Sequence, residues 1–344
     1  MMGPSYREIR VNNFAICWNS SLKRLRSTFI SKNLLNGTQS AGNRDQNVVK
    51  NYSTSASETI REKSFKFTNF YNDYCRKYGK CQIDEKWLEW FIGFVEGDGS
   101  IYIDNKKSRC YFVIRQKEIK ILEEIQKTLG FGNVKSIGES CPKYIVTDKQ
   151  NIILLAHLFN GNIIIAHRQQ QVSQLITLIN NLKWDLIEID RRILEVDLTT
   201  RWLSGFTDAE GCFNITIQKR QEVKLGYRVR AKFILDQNNG QVLLKQICTL
   251  FGYGRVYLRY KDRTIYRYLT DSFKSYEKII DYFTQNPLKT KKKQSFENWQ
   301  LVYKKLLQKE HLTEHGLEEI RNLATKINII QSKVKKQGKS LKKK

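Results

Sequence analysis

A nine-residue pattern occurs twice in this chain. Phe91-Ile92-Gly93-Phe94-Val95-Glu96-Gly97-Asp98-Gly99 matches Leu203-Ser204-Gly205-Phe206-Thr207-Asp208-Ala209-Glu210-Gly211, with small residues, a phenylalanine and two acids at the same places. A second correspondence follows downstream, where Leu129-Gly130-Phe131-Gly132-Asn133-Val134 matches Phe251-Gly252-Tyr253-Gly254-Arg255-Val256. Two separate agreements in the same order mean that a whole structural unit is duplicated, so the fold must accommodate two copies. The second copy is longer by about ten residues between its markers, and a longer hairpin within residues 218–228 accounts for the difference.

Each copy reads as helix, two strands, helix, two strands, helix. Asp84 is a candidate N-cap before Trp87, Leu88, Trp90, Phe91, Ile92, Phe94 and Val95, a helix apolar around most of its circumference and therefore buried on several sides. Thr199 or Thr200 is the corresponding cap in the second copy, and Gly99 and Gly211 end the two helices. Strict alternation then sets in, with Phe213, Ile215 and Ile217 on one face and Asn214, Thr216 and Gln218 on the other. The expected fold class is α+β: a tandem pseudo-twofold repeat of αββαββα units, with two antiparallel sheets forming a saddle and the repeated helices paired at the interface. Expected boundaries are a basic, largely disordered leader at 1–82, a first domain at 83–185, a linker at 186–198, a second domain at 199–330 and a Lys-rich tail at 331–344.

Charge narrows the partners. Across 344 residues, 60 basic against 34 acidic side chains leave +26, which points to polyanions. No stretch approaches the roughly 18 consecutive apolar residues that a membrane span requires. The seven cysteines make neither a disulfide framework nor a zinc signature and read as free thiols of a reducing compartment. Residues 1–60 carry basic side chains from Arg7 to Lys50 among many Ser and Asn, with few acids. That is the composition of a mitochondrial transit peptide or of a leader on a protein made inside the organelle, a chloroplast being the other option.

Gly93 and Gly97 share one helix face, as do Gly205 and Ala209, and small residues at that spacing let two backbones come close. If the repeated helices pack on each other, their C-terminal ends bring Asp98 and Glu210 together. Two carboxylates beside helix C-terminal carbonyls repel each other, so the site favours a divalent cation or a proton. With oxygen ligands only, Mg²⁺ is the expected cofactor.

Both runs resemble the LAGLIDADG motif of homing endonucleases, in the single-chain, two-motif form, and the similarity covers about residues 83–330. The resemblance implies that the penultimate acids, Asp98 and Glu210, bind the metals, while Glu96 and Asp208 are not ligands. Phe91, Ile92, Ser204 and Thr207 depart from the motif as packing variations. The family's additional catalytic residues correspond to Gln116 and Gln237 near the second strand of each copy and to Lys291 before the last helix; Arg168 takes that slot in the first half, where a permanently charged guanidinium puts a proton-handling role in doubt. The alternative for each glutamine is an ordinary exposed strand end, and for the lysine run a solvated basic loop.

The implied activity is Mg²⁺-dependent, site-specific cleavage of double-stranded DNA at a long asymmetric target by a monomer. Assistance to splicing of its own intron RNA, as a maturase, is the alternative, and no membrane role is implied. Alternation assigns Tyr102, Asp104, Lys106, Arg115 and Lys135 of the first sheet to the DNA-facing surface. In the second sheet it assigns Asn214, Thr216, Gln218, Arg228, Arg230, Lys232, Tyr257 and Arg259. Each is a candidate for base readout or for phosphate contact.

Overall fold

The computed structural model describes residues 61–62, 64–79, 83–104, 106–136, 141–259 and 264–327. The leader at 1–60 and the Lys-rich tail at 331–344 lie outside the described residues. The chain runs β1 (Arg61–Glu62), α1 (Thr68–Tyr78), α2 (Glu85–Asp98), β2 (Gly99–Asp104), β3 (Arg109–Arg115), α3 (Ile119–Leu129), β4 (Asn133–Lys135), β5 (Lys143–Val146), α4 (Lys149–Phe159), α5 (Ala166–Asn181) and β6 (Ile193–Leu194). It repeats as α6 (Trp202–Glu210), β7 (Gly211–Lys219), β8 (Tyr227–Asn238), α7 (Gln241–Phe251), β9 (Arg255–Leu258), β10 (Ile265–Thr270), α8 (Phe273–Gln285) and α9 (Lys292–Leu307), then a 3₁₀ turn and α10 (Glu314–Lys326).

Two four-stranded antiparallel sheets form in identical order, β2-β3-β5-β4 and β7-β8-β10-β9. The duplicated α+β architecture is therefore as the sequence implies, except that each unit closes with two helices rather than one. The longer second hairpin is real, since β7 and β8 pair out to Lys219 and Tyr227 whereas β2 and β3 pair only to Asp104 and Arg109.

Asp84 caps α2 by accepting from Lys86 N at 3.1 Å. The expected Thr199 or Thr200 cap on α6 does not form. Arg201 is the N-cap, and its N–H is satisfied at 2.8 Å by Glu89 of the other motif helix, a partner that local sequence cannot reveal. The glycines end the two helices where expected, without a left-handed conformation. Gly99 and Gly211 are extended, with φ near −78° and −79°. They are needed because a Cβ would sit 2.6 Å from Val95 O at the first and 2.4 Å from Thr207 Cγ2 at the second.

Gly93 and Gly205 explain how α2 and α6 pack. A Cβ on Gly93 would lie 2.0 Å from Trp202 O, and one on Gly205 1.8 Å from Trp90 O, so the helices touch backbone to backbone. Trp90, Phe91, Ile92, Phe94, Trp202, Leu203 and Phe206 are fully buried around that contact. At roughly 1.5–3 kcal/mol for each large apolar side chain, this seam is the stabilising centre of the molecule.

The reading of 1–82 as a largely disordered leader is corrected for its last part. Phe67, Phe70 and Tyr74 are buried, Tyr74 donates to Leu129 O at 3.0 Å, and β1 pairs in parallel with β6. The apolar positions of α1 recur at helical spacing but are short and sit beside a long polar segment. His157 of α4 joins this helix to the segment after α5, its Nε2 lying 3.0 Å from Asp73 and 3.3 Å from Asp185.

Candidate active site

Because α2 and α6 meet along small residues, their C-terminal ends converge. A Cβ on Gly97 would be 2.3 Å from Ala209 Cβ and 3.1 Å from Glu210 Cγ, so the Glu210 side chain lies against the residue preceding Asp98. Burial pushes the Asp98 carboxyl up to about 8, with the Glu210 charge as the next cause; Lys292 and Arg168 pull the other way. Glu210 is itself buried. An oxygen donor pair in this state takes up a proton or a divalent cation, and Asp98 with Glu210 fits Mg²⁺ by donor type.

The other acid of each motif is held by a loop of its own copy and by the indole of the opposite motif helix. Glu96 accepts from Ile164 N at 2.9 Å, Ile165 N at 2.7 Å and the Trp202 indole at 2.9 Å. Asp208 accepts from Lys289 N at 2.8 Å, from Thr290 N at 3.1 Å, from the Thr290 hydroxyl and from the Trp90 indole at 2.8 Å. Burial raises both carboxyls, Glu96 to about 7, against the pull of those donors. These acids bind the loops that start α5 and α9, which is why they are not directed at the site.

Those loops deliver one cation to each motif helix. Arg168 donates from Nε to Glu96 O at 3.2 Å and from Nη2 to Gly97 O at 3.4 Å. On the other side Lys292 Nζ reaches Thr207 O at 3.1 Å and Ala209 O at 2.8 Å. Each covers carbonyls at a helix C-terminus, where positive charge is favoured. This corrects the sequence assignment of Lys291, which is exposed and whose backbone N–H donates to Glu118 at 2.9 Å. Within the run Lys291-Lys292-Lys293, only the helical turn decides which ammonium points inward.

Gln116 Nε2 donates to Asp98 Oδ2 at 2.7 Å. Gln237 occupies the equivalent register position, two residues beyond the partner of the motif glycine in each sheet: Gly99 pairs with Ile114 and Gly211 with Leu235. Gln237 is buried and its Oε1 has no hydrogen-bond partner.

The same register sorts the sheet faces. Ile101, Ile103, Phe112, Phe213, Ile215 and Phe233 face the core, which leaves Tyr102, Arg115 and Lys135, and Asn214, Thr216, Gln218, Arg228, Arg230, Lys232, Tyr257 and Arg259, on the open faces. Tyr102 stacks on Tyr111 at 4.6 Å. Asp104 accepts from the backbone N–H groups of Lys106 and Lys107, both at 3.2 Å, so it closes its own hairpin, and Lys106 lies in that turn rather than on a strand. Arg230 pairs with Asp271 at 3.4 Å and Arg259 with Asp236 at 2.7 Å. Arg267 and Lys143 also lie on the open faces and were missed, because the strand positions of β5 and β10 follow irregular loops; Asp236, which continues the alternation of β8 beyond Lys232, was missed as well.

Among the described residues no helix is long and apolar enough to cross a membrane. The sequence profile described as LAGLIDADG endonuclease matches residues 91–181 and again 203–303. The chain is 36% identical over 254 residues to the probable intron-encoded endonuclease 4 of Neurospora crassa, covering 72% of this chain but 45% of that protein. It is 29% identical over 326 residues to an uncharacterised cox1 intron-2 protein of Schizosaccharomyces pombe, covering 89% of this chain and 91% of the other. Among solved structures, meganuclease I-SmaMI bound to uncleavable DNA superposes with a TM-score of 0.58 at 19% identity, over 70% of this chain and 96% of that one.

Proposed function

The chain belongs to the LAGLIDADG endonuclease family, and on that premise we propose that it cleaves both strands of double-stranded DNA at one long, asymmetric site with Mg²⁺ held by Asp98 and Glu210. The observation that carries this reading is the convergence of those two acids at the ends of backbone-packed helices, between two open, basic sheet faces. When bound, Mg²⁺ stabilises negative charge on the scissile phosphate and lowers the pKa of an attacking water. Gln116 orients the Asp98 carboxylate. Arg168 and Lys292 bring positive charge beside the acids, where a phosphate would come to rest. The sheets fit the major groove, and their rows differ between the copies: Arg109, Tyr111 and Val113 occupy the register positions of Arg230, Lys232 and Ile234. Unlike surfaces select unlike half-sites. The naming of the Schizosaccharomyces relative for a cox1 intron, together with the basic leader, supports a mitochondrial location.

The test is to incubate the purified protein with a randomised double-stranded DNA library, with Mg²⁺ or with EDTA. Recovery of cut molecules sharing one long non-palindromic sequence, in Mg²⁺ alone, is expected. Retention of intron RNA without any DNA cleavage would overturn the reading in favour of a maturase.

A further inference from the structure

Asp236 is a buried carboxylate among the arginines of the second sheet's open face. It lies on the open face of β8, one residue past Leu235, the partner of Gly211, and therefore at the end of the sheet nearest Glu210. It is 5% exposed. Arg267 of β10 binds it with two parallel contacts, Nε to Oδ1 and Nη2 to Oδ2, both at 2.6 Å, and Arg259 adds Nη1 to Oδ2 at 2.7 Å. Tyr257 continues the same row across the sheet, paired in register with Arg267.

The first copy has the same row without the acid. Arg115 pairs in register with Lys143, and Lys143 with Lys135, so the positions of Asp236, Arg267 and Tyr257 are held there by three cations. Three cations side by side suit neighbouring phosphates, and each keeps its own rotamer freedom. Two guanidiniums locked on one buried carboxylate are a different device. The side-on pairing fixes the plane of Arg267 while using two of its five N–H groups, and a fixed guanidinium fork is what bidentate recognition of guanine O6 and N7 requires.

Resting on the DNA-endonuclease reading above, we propose that Asp236 is a positioning residue that holds Arg267 and Arg259 as a rigid donor pair reading guanines close to the cleavage centre, in the half-site bound by the second sheet only. The corresponding row of the first half-site holds phosphate and reads no base.

The experiment is a binding selection from randomised duplex DNA in EDTA, using full-length protein, so that cleavage plays no part. Wild type is compared with Asp236→Asn, which keeps the shape and loses the charge, and with Arg267→Lys, which keeps the charge and loses the fork. Thermal unfolding is measured for each. The expected result is that both variants lose about tenfold discrimination or more at the same one or two guanine positions of one half-site, with preferences elsewhere unchanged. Loss confined to shared positions is something a merely structural defect does not produce. Unchanged profiles, or losses spread over both half-sites, overturn the assignment of Asp236. If wild type itself selects no sequence, it is the DNA-endonuclease reading that fails, and the assignment falls with it.

Discussion

The indole N–H of Trp90 donates to Asp208 across the helix seam at 2.8 Å, and Trp202 returns the contact to Glu96 at 2.9 Å. Each motif helix therefore holds the acid of the other. Through that acid it also holds the loop, Ile164–Ile165 or Lys289–Thr290, that begins the cation-bearing helix.

Removing one such donor leaves a buried carboxylate short of a partner, which costs about 1–3 kcal/mol. Trp90→Phe should lower the urea unfolding free energy by at least that amount. A change within measurement error would show that Asp208 does not depend on the indole.

The close approach of α2 and α6 allows no side chain at Gly205. Alanine there would place Cβ 1.8 Å from a backbone oxygen, which cannot rotate away as a side chain could. Gly205→Ala should destabilise by at least about 3 kcal/mol or prevent folding. Near-native stability, read by calorimetry, would contradict the backbone-to-backbone contact of α2 and α6.

Lys292 and Lys291 are neighbours with different surroundings. Lys292→Met removes the charge beside Asp98 and should slow cleavage at saturating DNA by more than about tenfold. Lys291→Met should stay within about twofold of wild type in the same assay, since that side chain is exposed. Equal losses would show that the basic run acts only by net charge.

Local pattern in the sequence marks some of these residues and not others. The repeat, the helix ends at Asp98 and Glu210 and the alternation of β7 and β8 were legible because each leaves a local pattern. Lys292 was not, because three consecutive lysines differ only in where the first turn of α9 begins. The Glu89 contact that satisfies Arg201 joins residues far apart in the chain, so no spacing rule finds it. Asp236 continues the alternation of β8, but its role was not legible because its partners Arg259 and Arg267 flank a loop whose length sets their register. Helix α1 was hidden by the polar leader before it.

The Asp98 carboxyl yields a pH prediction. Its folded pKa is raised to about 8 from an ordinary 3.8, so the folded protein favours the protonated form. The sign follows: without metal, this group's contribution to stability is fully present below about pH 4 and is lost as pH rises through about 8. A divalent cation must displace that proton, so the Mg²⁺ concentration for half-maximal cleavage should fall as pH rises from 6 toward 8 and then level off. Glu210→Gln removes the second cause of the shift, so the melting temperature of the metal-free variant should depend less on pH than that of wild type. An unchanged pH slope would place the cause elsewhere.

The catalytic role of the paired acids is read from single-turnover cleavage of the selected target by Asp98→Asn and Glu210→Gln, each beside a filter-binding measurement on the same DNA. Because each acid is assigned to metal binding with no neighbour to replace it, either substitution should slow double-strand cleavage by more than about a hundredfold, at least ~3 kcal/mol in barrier, while DNA affinity stays within a few fold. Cleavage near the wild-type rate by either variant would contradict the assignment of the paired helix ends as the catalytic centre.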